Sequence, residues 1–162
     1  MTLCHIIADA CEHAARYRRE HGFDARVDAH NLITTPAGRV DAIQMSEHLA
    51  EQVHVELIRR QLNTPEIRNI HTGAVTFVTA PAVVGDVRSV AILDAHPRVS
   101  AIRTVPGAPI ALPGPADDAH IWQTEPTAAE RLSFDALLCL TVTTGIRLGT
   151  RPRAGSTGTR YR

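Results

Sequence analysis

Six of the thirteen residues from Arg103 to Pro115, RTVPGAPIALPGP, are proline or glycine. No helix runs through such a segment, because each proline removes an amide donor and fixes φ, and each glycine adds backbone entropy. The same letters spell Arg103-x-x-Pro106-x-x-Pro109, the pattern of a polyproline ligand for SH3-type grooves. A docking peptide sits in polar, unpatterned surroundings. Here Val99, Ala101 or Ile102, and Val105 alternate on one side, Pro106-Gly107 is a turn dipeptide, and Pro109–Leu112 is a short apolar run. The segment is therefore expected to be a hairpin inside a folded domain, with a proline at a strand start.

The rest of the chain alternates between helical and extended patterns. Residues 3–21 place Leu3, Ile7, Ala10, Cys11, Ala14 and Tyr17 at helical spacing, with Gly22 as a stop. Arg26–Ala29, Asn31–Thr34 and Arg39–Met45 read as short strands, the last two joined at Pro36-Ala37-Gly38. Ser46 caps a second helix to about Leu62, with Leu49, Val53, Leu57, Ile58 and Leu62 inward. Thr64-Pro65-Glu66 reads as a break or a short turn, and AVTFVTAP after Gly73 as a strand. Asp86–Ala95 has the spacing of a short helix. HIWQTEP carries Trp122, the sole tryptophan, which is expected to pack on a sheet or at an interface. Thr127 and Glu130 form a capping box that opens a third helix, closed by Gly145 and Gly149. These elements predict an α+β (or α/β) fold in two layers, with three main helices packed on one mixed, mostly antiparallel sheet. Residues 1–146 form the domain, and residues 147–162 a flexible basic tail.

With aromatics at 4%, the core must be built from Ala, Val, Leu and Ile. All 17 cationic side chains are arginine, a bias typical of high-GC genomes. The absence of lysine excludes a P-loop, a Schiff base and a Ser–Lys dyad. Charge is uneven: residues 1–135 hold 12 Arg against all 17 acids, and residues 136–162 hold 5 Arg and no acid. The odd number of cysteines, the lack of a leader pattern and the lack of a long apolar run predict a soluble cytoplasmic protein with no membrane partner. Cys4, Cys11 and Cys139 read as buried small hydrophobes.

Several polar groups have the spacing of ligand sets. His48, Glu51 and His54 recur every three residues on the second helix, and Glu-x-x-His is a ligand pair of carboxylate-bridged metal sites. The two histidines lie about 120° apart round the helix, so a solvated face competes with a divalent metal there. His5, Asp9 and His13 form a similar stripe on the first helix. Asp117-x-x-His120 is a second acid-plus-histidine pair, and Asp28 with Asp41 at strand ends would suit a two-metal site. Arg147, Arg151, Arg153, Arg160 and Arg162 form a cationic arm able to contact phosphates. There is no G-x-S-x-G elbow on a strand, no G-x-G-x-x-G and no H-E-x-x-H.

The stretches HTGAVTFVTAP, RVSAIRTVPGAPIALPGP and HIWQTEP resemble small uncharacterised actinobacterial α/β proteins over roughly residues 70–126. The resemblance implies a bacterial domain with the 98–112 segment inside the fold, and no catalytic residue. With no catalytic signature present, the expected function is a non-catalytic bacterial interaction or regulatory module that self-associates or binds another protein. Two alternatives stand beside it: nucleic-acid association through the arginine tail, and a metal-dependent hydrolase.

Overall fold

The computed structural model describes residues 3–83, 91–96, 99–127 and 130–149. Helix α1 (Leu3–His21) ends where Gly22 adopts φ 66°, a left-handed stop that glycine takes without strain. Ala10, Ala14 and Tyr17 are buried, but Ile7 is 41% exposed and Cys11 is exposed. The inward stripe of α1 is thus narrower than its spacing predicts. Two short strands follow, β1 (Arg26–Val27) and β2 (Ile33–Pro36), and then β3 (Asp41–Met45).

Helix α2 (Glu47–Arg59) buries Leu49, Ala50, Val53 and Leu57, whereas Ile58 and Leu62 are exposed. Ser46 occupies the N-cap position without a capping bond. Its Oγ instead accepts the Ser100 amide at 3.2 Å, tying the helix start to a neighbouring strand. Thr64-Pro65-Glu66 opens a strand, β4 (Glu66–Asn69), and AVTFVTAP contains β5 (Val75–Thr79) as expected. Residues 84–90 lie outside the described residues. The second half of the expected 86–95 helix is strand β6 (Ala91–His96), which forms a hairpin with β7 (Val99–Arg103). A short apolar run fits either period, and the open edge of β7 decides for the strand. Strands β8 (Pro109–Leu112) and β9 (His120–Thr124) precede α3 (Phe134–Gly149).

Helix α3 begins at Ser133, whose Oγ accepts the Ala136 amide at 3.3 Å, and not at the Thr127 box. The segment before it is tied elsewhere: Leu132 O accepts the Ala80 amide at 2.9 Å, and Arg131 lies over the Phe23 ring. Those contacts override local helix propensity. Gly145 is an interior residue of α3 and Gly149 its last.

The class is α+β, with three helices among the described residues and every ladder between described strands antiparallel. The strands divide into two sheets. One has six strands in the order β6-β7-β3-β5-β4-β9, and the other three in the order β1-β2-β8. On one face of the large sheet, α2 and α3 enclose Ile43, Met45, Val75 and Phe77 with Leu49, Val53, Phe134 and Leu137. On the other face, Ala42, Ile67 and Val78 pack with Ala14, Tyr17 and Phe23 and with Ile33, Ile110 and Leu112 of the small sheet.

The expected hairpins at 36–38 and 106–107 are not hairpins. β2 pairs with β8, and β3 with β7, so β2 and β3 belong to different sheets, as do β7 and β8. Ile33–Met45 and Ala101–Leu112 instead run beside each other as one long antiparallel ribbon that leaves the small sheet and enters the large one. The register shifts by a single residue across the bend: Pro36 is opposite Pro109, and Ile43 opposite Arg103. Two prolines sit face to face where the ladder ends, a place at which neither needs an amide donor. The bend itself is a type II turn, with Pro106 and Gly107 (φ 85°) at its centre and the Ala108 amide donating to Val105 O at 2.9 Å. Strands that change sheets through bends are how two packed sheets share a corner. Arg103, the first letter of the polyproline spelling, is 5% exposed and bonded within the sheet; Pro106 and Pro109 are exposed but held in the ribbon, so the segment is part of the folded sheets and no free docking peptide.

Candidate functional site

The α2 residues that share a helix stripe in sequence separate in space. His48 and Glu51 are exposed, while His54 turns toward the sheet. Its Nδ1 lies 2.9 Å from both carboxylate oxygens of Glu66 on β4. Glu66 is 2% exposed and also accepts Gln123 Nε2 from β9 at 3.0 Å. Burial pushes the Glu66 carboxyl above its ordinary value, and hydrogen bonds from His54, Thr124 and Gln123 pull it part of the way back. The residue that completes the His54 pair is therefore twelve positions away, on a segment read as a turn. The signal that could have found it is an acid directly after Pro65 with an apolar residue, Ile67, at the next position, which is the start of a half-buried strand.

A second pair sits at the other end of the same two strands. His120 Nδ1 is 2.9 Å from Asp117 Oδ2, and His120 Nε2 is 3.2 Å from Asn69 Nδ2. The Asn69 amide oxygen accepts the backbone amides of His71 and Thr72 at 3.0 Å each. That leaves its nitrogen as donor to Nε2, so the bonds are satisfied when Nδ1 of His120 carries the proton and donates to Asp117. Asp117 Oδ1 takes the amides of Ala119 and His120 as well. The Asp117-x-x-His120 pairing read from sequence is a real contact, and its partners make it a closed loop anchor.

The other expected sites do not assemble. Asp41 is buried in a bidentate pair with Arg103, with Nη2 to Oδ2 at 2.5 Å and Nε 3.2 Å from each oxygen. Asp28 is exposed and accepts the amides of His30 and Leu32 at 2.8 and 2.9 Å. His13 Nδ1 meets the Asp9 backbone carbonyl at 3.1 Å, and the side chain of His5 lies outside the described residues. Among the described residues no group of three His, Cys, Asp or Glu side chains is placed to hold a metal.

Arg147 belongs to α3, not to a tail, and its Nη1 reaches Glu56 Oε1 on α2 at 3.1 Å. Arg151, Arg153, Arg160 and Arg162 lie outside the described residues. Cys11 and Cys139 are exposed free thiols rather than buried hydrophobes, and the Cys4 side chain is outside the described residues. No described helix is long and apolar enough to cross a membrane.

What the chain does bring together is concentrated on the outermost strand of the large sheet. β9 carries His120, anchored by Asp117 from the preceding loop, presents Gln123 to the Glu66–His54 pair, and sends Trp122 to the opposite face. There Trp122 Nε1 donates to the Tyr17 hydroxyl at 2.7 Å, which donates to the Pro113 carbonyl at 2.7 Å. Beyond β9 no further described strand pairs with the sheet. Ile121, between these groups, is 49% exposed, and Ile70, just past β4, is 50% exposed. No family model, curated protein or solved structure matches the chain.

Proposed function

We propose that this chain is a non-catalytic interaction module that self-associates along the free edge of β9. The observation that carries the reading is β9 itself: an end strand with one unpaired side among the described residues and a half-exposed isoleucine, Ile121, within it. An open edge with apolar side chains is a template for pairing with another strand. The acids on β4 and in the loop before β9 support the reading, because Glu66 and Asp117 are engaged by neighbours within the fold. Exposed thiols at Cys11 and Cys139 suit a reducing, cytoplasmic setting.

Sedimentation velocity across a concentration series tests this. The wild type is expected to show a monomer–dimer equilibrium, and Ile121→Glu to sediment as a monomer with an unchanged circular dichroism spectrum. A wild type that is monomeric at every concentration would overturn the proposal.

A further inference from the structure

Half of the chain's few aromatic rings meet at one place. Of two tyrosines, three phenylalanines and one tryptophan, Tyr17, Phe23 and Trp122 form one cluster, with ring centroids 5.9, 6.0 and 6.4 Å apart. His21 joins it at 6.1 Å from Tyr17. Beside the cluster opens a cleft of about 340 Å³, lined by Tyr17, His21 and Trp122 and by Arg16, Glu20 and Glu125. That is the size of a small-molecule site.

The chemistry left available in this cleft is narrow. The polar tips of Trp122 and Tyr17 are already used, the first on the second and the second on Pro113. A ligand therefore meets the indole ring of Trp122, an aromatic system whose face attracts cations. Two carboxylates against one guanidinium leave the wall acidic. Among the described residues Glu20 has a loose ion pair, 3.8 Å to Arg19, between exposed side chains, which holds it weakly. His21 lines the cleft with its ring, its Nδ1 being buried.

We infer that this cleft binds a small protonated amine, its ammonium group held by the Trp122 ring and the carboxylates of Glu20 and Glu125. The inference is independent of dimerisation, and its test is run in both the wild type and Ile121→Glu so that the two can fail separately. Trp122 is the only tryptophan, so its emission reports the cleft alone. The probe is butylammonium chloride, with sodium chloride at matched ionic strength and 1-butanol as the neutral counterpart.

The expected result is a saturable change in emission with butylammonium and none with the two controls. Glu125→Gln should weaken the affinity about fivefold, the scale of one exposed charge contact. Both glutamates are exposed, so their replacement leaves the fold intact. Equal binding of butanol, the same change with sodium chloride, or an affinity unmoved in the Glu20→Gln/Glu125→Gln double variant would each overturn the proposal.

Discussion

Two buried acids hold the large sheet, and they are held differently. Asp41 lies on β3 at the sheet's centre and faces an arginine across the ribbon, with both oxygens bonded and the guanidinium lying 4.5 Å over the Phe134 ring. Glu66 lies on β4, one strand from the edge, and faces a histidine from α2 that is 31% exposed. Arginine stays charged at every pH a protein meets, so the central pair is a fixed staple. Burial raises the Glu66 carboxyl above its ordinary value, so the charge on the outer pair is conditional. The chain puts its permanent bond where the ribbon enters the sheet and its adjustable bond beside the open edge.

Replacement of Arg103 by methionine should give the largest effect. It leaves the Asp41 charge buried without its partner, at about 3–5 kcal/mol, read as a shift in the urea midpoint. Adding Asp41→Leu to that variant should recover most of the loss, since well-packed apolar pairs replace buried ion pairs with little penalty. If the double variant is no better than the single one, the pair does more than neutralise itself.

Glu66→Ala comes next, at about 1–3 kcal/mol, because it strands His54 and Gln123 at the sheet surface. Below it lies His54→Ala, at about 1 kcal/mol, the scale of a single hydrogen bond with a half-open donor. An equal loss from His54→Ala and Arg103→Met would erase the distinction between the two pairs.

The smallest effect is the sharpest discriminator. Glu66 has a folded pKa above its ordinary 4.5, so its contribution to stability is fully present below that value and is lost as pH rises through the folded pKa. Wild type compared with Glu66→Gln in urea titrations should therefore lose relative stability as pH climbs from about 4.5. A flat difference across that range would mean that His54 and Gln123 fully offset the burial of the carboxylate.

Legibility in the sequence followed the range of the interactions. α1, α2, β5 and the Pro106-Gly107 turn depend on spacing and turn chemistry within a few residues, and they stand where those rules put them. The pairing of β7 and β8 did not follow, because a tight turn between two strands does not by itself say that the strands are partners. Here Arg103 looks back to Asp41, and Pro109 to Pro36. β4 was hidden for the same reason: EIRN is too short and polar to announce a strand, and its place depends on β5 and β9 on either side. Of the candidate site, Asp117 with His120 was visible as a local spacing. The Glu66 partner of His54 and the meeting of Tyr17 with Trp122, 105 positions apart, exist only once the sheet has formed.

The bent ribbon also sets an order of events during synthesis. Ile33 pairs with Leu112, and Met45 with Ala101, so the first strand of the ribbon leaves the ribosome long before the second exists. In the interval β3 can gain β5, and α2 can settle on that pair, but β2 has only the two residues of β1 beside it. The small sheet therefore cannot close until β8 is made, and a nascent chain stalled before residue 109 would expose Ile33 and its neighbours to whatever binds unpaired strands. Long-range pairing of this kind slows folding and lengthens that exposure. The corner that joins the two sheets is thus also a point at which the growing chain waits, its first strand unpaired until the second arrives.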